Sequence, residues 1–149
     1  MIVNTAYPFM KAGASGNFII NGAKINYDYE TLAQTKSFTY NSSLKAWELT
    51  VTTKSSSNRA ILKLNHIDFS KFTKIRVKYY MSDGVQQLYV SFRTQDGGER
   101  GSGTAPFSLT PVEYDIAFGS FVITLTDGNL LVYSPFNTET LYIQSIELI

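Results

Sequence analysis

The chain has 149 residues and carries 13 Lys and Arg against 12 Asp and Glu, a formal net charge of +1. It has no Cys and one His, which excludes disulfides, thiolate nucleophiles, Cys-based zinc sites and two-His metal motifs. The near-neutral charge argues against nucleic acid or an anionic membrane held by bulk electrostatics, and the length suits one domain with a real core.

Residues 1–16 read differently from the rest. The apolar stretch 2–10 carries Tyr7-Pro8-Phe9, and Ala12-Gly13-Ala14-Ser15-Gly16 has the composition of a flexible joint. This segment is expected to be either an arm that docks onto another subunit or a first strand, with the main domain over 17–149. The opening Met1-Ile2-Val3-Asn4 lacks the basic and apolar regions of a signal peptide, and the apolar runs 121–125 and 130–133 are strand-sized. The matching expectation is synthesis in a cytoplasm with no membrane insertion.

No window of 12 or more residues shows helical spacing; a single short helical turn is predicted at 29–34. Alternation with period two predicts strands instead. They fall at 17–20, 37–40, 45–53 (Trp47, Leu49 and Val51 inward) and 60–64. Further strands fall at 74–81 (Ile75, Val77, Tyr79 and Met81 inward), 87–93 (Leu88, Val90 and Phe92 inward), 112–117, 120–126 and 141–149. Asp83-Gly84 and Asp127-Gly128 suit two-residue hairpins. The first hairpin would set Tyr79 opposite Leu88, Val77 opposite Val90 and Ile75 opposite Phe92. The second would set Leu125 opposite Leu130 and Ile123 opposite Val132. In the last strand Leu141 and Ile143 share one face but Ile146 and Leu148 continue it out of phase, which predicts a β-bulge at Gln144-Ser145. The segment 94–105, with four glycines, reads as the longest loop.

The resulting fold class is all-β: a single-domain antiparallel β-sandwich, most simply a jelly roll, with an up-and-down barrel as the alternative.

Chemistry-bearing residues are sparse. Asp83 and Asp127 belong to turn signals and Asp96 and Glu99 to a Gly-rich segment, so no spacing singles out an acid–base pair. Asp96-Gly97-Gly98-Glu99 hints at calcium but matches no twelve-residue calcium loop. His66 reads as a turn residue bonded to backbone, and Trp47 is in phase with the core. The outer face of the 74–93 hairpin is the candidate ligand site: Arg76, Lys78, Tyr80, Gln87, Tyr89 and Arg93. It would place Lys78 beside Tyr89, Arg76 beside Ser91 and Tyr80 beside Gln87. Tyrosine rings pack on the C–H face of a pyranose while guanidinium and amide groups bind its hydroxyls. A solvated sheet face and a subunit contact remain the competing readings.

Met1-Ile2-Val3-Asn4-Thr5-Ala6-Tyr7, Ile67-Asp68-Phe69-Ser70-Lys71-Phe72-Thr73-Lys74-Ile75-Arg76-Val77 and Leu141-Tyr142-Ile143-Gln144-Ser145-Ile146-Glu147-Leu148-Ile149 resemble segments of small β-sandwich structural proteins. Those proteins are encoded beside tail genes in phages and prophages of Gram-positive bacteria. The resemblance implies a non-enzymatic virion protein with a carbohydrate-binding-module-like jelly roll, a homotrimer among other virion proteins. It would be a tail or baseplate receptor-binding or fibre component recognising host cell-surface glycan. A capsid decoration or head-fibre protein docked through its arm is the alternative, and a polysaccharide-active enzyme module the second. No catalytic residue, metal or cofactor is expected.

Overall fold

The computed structural model describes residues 29–33, 35–54, 59–133 and 137–149. The predicted arm and the strand at 17–20 lie outside them. Ten strands are described: β1 (Tyr29–Ala33), β2 (Thr35–Asn41), β3 (Ala46–Val51), β4 (Ala60–Ile67), β5 (Lys74–Met81), β6 (Leu88–Thr94), β7 (Glu99–Ala105), β8 (Val112–Ala117), β9 (Gly128–Tyr133) and β10 (Thr140–Leu148). They form two five-stranded sheets, β1-β4-β9-β6-β7 and β2-β3-β10-β5-β8, with antiparallel pairing throughout. The protein is therefore an all-β, jelly-roll β-sandwich. Of the helical turn expected at 29–34, the described part, Tyr29–Ala33, is a strand paired with β4, where cross-strand partners outweigh a weak local preference.

The inward residues of each sheet meet in one core. Leu62, Leu64, Leu88, Val90, Phe92, Leu130 and Val132 of the first sheet face Leu49, Ile75, Val77, Tyr79, Met81, Leu141, Ile143, Ile146 and Leu148 of the second. Trp47 joins this core, with its ring stacked on Phe38 at 4.8 Å. Tyr79 is fully buried, and its hydroxyl donates to the Pro106 carbonyl. Burial pushes the phenol up to about 12. Phe69, carried by a 3-10 turn over Phe69–Lys71, meets Phe92 at 5.4 Å and Phe118 at 5.6 Å, edge to face in both cases. Such pairs add about 0.5–1.5 kcal/mol beyond area burial.

Both predicted hairpins are corrected. β5 and β6 lie in opposite sheets, so Tyr79, Val77 and Ile75 do not pair with Leu88, Val90 and Phe92. The connection 82–87 crosses between sheets. Asp83 is turned onto the segment before β10, where its carboxylate accepts from Glu139 N at 2.8 Å and pairs with Lys54. Residues 120–126 are not a strand; they hold a 3-10 turn over Val122–Thr124, and Leu130 pairs with Leu64 and Phe92 instead. Gly128 is needed for space, since a Cβ there would sit 2.9 Å from the Phe69 ring and 3.0 Å from the Arg93 carbonyl.

The Asp-Gly that does close a hairpin is Asp96-Gly97. Gly97 has φ +94°, Thr94 N donates to Gly98 O at 2.9 Å, and β6 runs directly into β7. The supposed loop 94–105 is thus largely a strand. Its glycines permit close approach: a Cβ on Gly101 would lie 2.5 Å from Val122 and one on Gly103 2.4 Å from Ile116.

The predicted bulge is present. β10 pairs Ile143 with Tyr79 and then Ser145 with Lys78, leaving Gln144 as the extra residue. The shift keeps Ile146 and Leu148 on the inward face shared by Leu141 and Ile143.

Candidate functional site

Strand β9 sits at the centre of the first sheet, between β4 and β6, and all six of its residues are buried. Alternation sends Leu130 and Val132 into the core. Asn129, Leu131 and Tyr133 therefore point to the outer face, yet Leu131 is only 5% and Tyr133 only 8% exposed. The outer face is consequently a floor beneath taller side chains. Register fixes its rows: Tyr133 lies beside Tyr89, which lies beside Thr104; Leu131 lies beside Ser91, which lies beside Ser102. A third row sets Asn129, Arg93 and Glu99 across the same strands.

These rows, apart from Asn129 and Leu131, line a groove of about 520 Å³ together with Arg59, which precedes β4. The guanidinium of Arg59 lies over both tyrosines, 5.6 Å from the centre of the Tyr89 ring and 5.7 Å from that of Tyr133. Arg93 is held in place: its Nε donates to Ser91 Oγ at 3.0 Å and its Nη2 to the Tyr133 hydroxyl at 2.9 Å. Ser91 in turn donates to Glu99 Oε2 at 2.6 Å, and Arg93 Nη2 is 3.8 Å from that oxygen. Below Arg93 the network continues, Gln95 donating to Asn129 Oδ1 at 2.9 Å and to Asp127 Oδ1 at 3.3 Å. His66 contacts the same Asp127 oxygen through Nδ1 at 2.9 Å.

The arrangement can offer aromatic surface, a fixed guanidinium and several hydroxyl and carboxylate acceptors. It is poorly suited to general acid–base work, because Glu99 is the one carboxylate among the described lining residues. Asp96, considered for calcium, accepts from Thr94 and from Gly98 N at 3.3 Å as a turn residue. Those hydrogen bonds, led by that of Thr94, hold its carboxyl below the usual range. Among the described residues no group of three or more His, Asp or Glu could hold a metal.

Five of the six residues expected from sequence are divided between the two sheets, and the sixth lies outside both. Tyr89 and Arg93 line the groove. Arg76, Lys78 and Tyr80 lie on the outer face of the other sheet, and Gln87 is exposed just before β6. Lys78 is therefore not beside Tyr89, nor Arg76 beside Ser91, nor Tyr80 beside Gln87; the cause is the separation of β5 from β6. Arg76 makes a two-pronged contact with Asp115, Nε to Oδ1 at 2.7 Å and Nη2 to Oδ2 at 3.0 Å, and Lys74 reaches the same carboxylate at 2.7 Å. The hydrogen bonds from Arg76 and then Lys74 hold the Asp115 carboxyl far below the usual range. Tyr80 stacks flat on Tyr142, with ring centres 4.5 Å apart. The two rings thus occupy each other's faces, and this sheet presents a charged ladder.

Sequence reasoning missed Arg59, Glu99, Ser102, Thr104 and Tyr133 as neighbours of Tyr89 and Arg93. One signal was available: the unbroken apolar run Leu130-Leu131-Val132-Tyr133 marks a strand covered on both faces.

No family model matches the sequence, and a search of curated proteins finds no match. Solved structures do resemble it. The module titled "BiXyn10A CBM1 APO" superposes with a TM-score of 0.64 at 16% identity, covering 88% of this chain and 95% of that one. The family 29 carbohydrate-binding module CBM29-2 gives 0.65 at 12% identity, covering 88% and 89%. The family 11 carbohydrate-binding module of the cellulosomal cellulase Lic26A-Cel5E of Clostridium thermocellum gives 0.57 at 18% identity, covering 88% and 92%. At such identities the likeness is one of fold.

Proposed function

We propose that the protein is a non-catalytic glycan-binding module whose site is the outer groove of the β1-β4-β9-β6-β7 sheet. The carrying observation is the pair Tyr89 and Tyr133, side by side in one groove with a guanidinium anchored among Ser91, Glu99 and Tyr133. Aromatic rings supply area for the C–H face of a sugar, and the flanking arginine, serine, threonine and carboxylate groups match hydroxyls. The fold shared with carbohydrate-binding modules supports the same reading. Its finer form is recognition of host cell-surface glycan by a phage tail or baseplate protein, supported by the resemblance of the 67–77 and 141–149 segments.

Binding of the purified chain to an array of polysaccharides tests the module. Tyr89→Ala weakens retention about 3- to 10-fold, the loss expected of one aromatic contact worth about 0.5–1.5 kcal/mol. Lys78→Ala, on the opposite sheet, leaves retention unchanged. Equal loss in both variants, or none in either, refutes this placement.

A further inference from the structure

The class of glycan is constrained by the charge of the groove, an inference that rests on the glycan-binding reading above. Two guanidiniums converge on one tyrosine: Arg59 lies 5.7 Å over the Tyr133 ring and Arg93 donates to the Tyr133 hydroxyl at 2.9 Å. Against them the described lining holds one carboxylate, Glu99, already accepting from Ser91. We propose that the groove takes a glycan bearing an anionic sugar residue, a uronate carboxylate or a phosphate substituent, with Arg93 as its principal contact.

Arg93 is suited to this role in three respects. Its Nε and Nη2 are fixed by Ser91 and Tyr133, so little side-chain freedom is lost when an oxyanion binds. Its Nη1 donates no hydrogen bond among the described residues, while the side chain is 33% exposed to the groove. The planar fork matches a carboxylate or a phosphate in two-pronged fashion. Arg59 adds a second reason. Its guanidinium lies over both rings, so a sugar seated at the tyrosines meets that cation. A neutral sugar gains little from that cation, whereas an anionic sugar is attracted to it. Glu99 opposes an anion, and this opposition provides the sharpest test. For a neutral glycan Glu99 is a useful hydroxyl acceptor; for an acidic one it is a repulsive neighbour 3.8 Å from Arg93.

Binding of the full chain is measured by titration calorimetry and affinity electrophoresis with polygalacturonate, a glycerol-phosphate polymer, a neutral mannan and a neutral glucan. The expected result is at least about tenfold tighter binding to one acidic polymer than to either neutral one, weakening as salt rises. Which acidic polymer binds distinguishes carboxylate from phosphate. Glu99→Gln tightens acidic binding about two- to fivefold, and Arg93→Gln weakens it about tenfold. Arg93→Lys, which keeps the charge but not the fork, falls between them, and circular dichroism confirms folding of each variant. Preference for a neutral polymer, or weaker binding by Glu99→Gln, overturns this inference and leaves the glycan module standing. Binding to none of the four polymers, together with no binding on the polysaccharide array, overturns both.

Discussion

Replacing Gly103 by Ala tests how the groove wall is built. Gly103 lies in β7 between Ser102 and Thr104, which line the groove, and its own inner side faces β8 across the sandwich edge. A Cβ at this position would stand 2.4 Å from Ile116 Cγ2, with the Ile116 Cβ at 3.6 Å. Ordinary carbon–carbon contact is about 3.5–4.0 Å, so Ile116 or the strand must move by roughly an ångström. Because Cγ2 is bonded directly to Cβ and Ile116 is only 6% exposed, a rotamer change relieves little of this. Overpacking of this kind costs about 1–3 kcal/mol. Restricting the unfolded chain recovers about 0.4–1 kcal/mol, since Gly103 needs no left-handed φ. The net loss is about 1–2 kcal/mol, and at about 2–4 °C per kcal/mol for a chain of this size the melting temperature falls by about 2–8 °C. In an Ile116→Ala background, which itself costs about 2–5 kcal/mol, the same Gly103→Ala change becomes neutral or slightly stabilising. Thermal and urea unfolding of the four proteins in this cycle measures the coupling. An equal penalty for Gly103→Ala in both backgrounds would refute the steric account.

Three further outcomes are expected. The Asp115 carboxyl titrates far below the usual range because Arg76 and Lys74 hold it ionised. Its contribution is therefore complete above the unfolded value of about 3.9 and fades as pH falls further. With about a third of the side chain exposed, screening limits this to about 1 kcal/mol, so Asp115→Asn flattens the acid limb of stability against pH without moving the neutral plateau by more than that. Asp83→Ala removes the acceptor for Glu139 N and the partner of Lys54, and lowers stability by about 1–2 kcal/mol in urea titrations. Deletion of Gln144 leaves a folded protein, because the bulge residue has no partner in β5 and its removal restores plain alternation; deletion of Tyr80 from unbulged β5 does not, and heteronuclear NMR spectra distinguish the two.

The sequence by itself determined the class of fold, the two-faced character of most strands and the bulge at Gln144. Each depends on period-two alternation within a single strand, and the phase break between Ile143 and Ile146 has one simple geometric remedy. Tertiary structure alone decided which strands are neighbours. In a sandwich, two consecutive strands with inward apolar residues satisfy the same matching whether they pair edge to edge or face each other across the core. Ile75, Val77 and Tyr79 therefore agree equally well with a hairpin to Phe92, Val90 and Leu88 and with the observed packing against them. That ambiguity also divided the candidate site. Tyr89 and Arg93 were legible, but Arg76, Lys78 and Tyr80 went with β5 to the other sheet. Their true neighbours, Tyr133, Glu99 and Arg59, come from β9, β7 and the start of β4, far apart along the chain. Local pattern carries no information about such partners, because side-by-side placement is set by long-range hydrogen-bond pairing and by the common core the strands must cover.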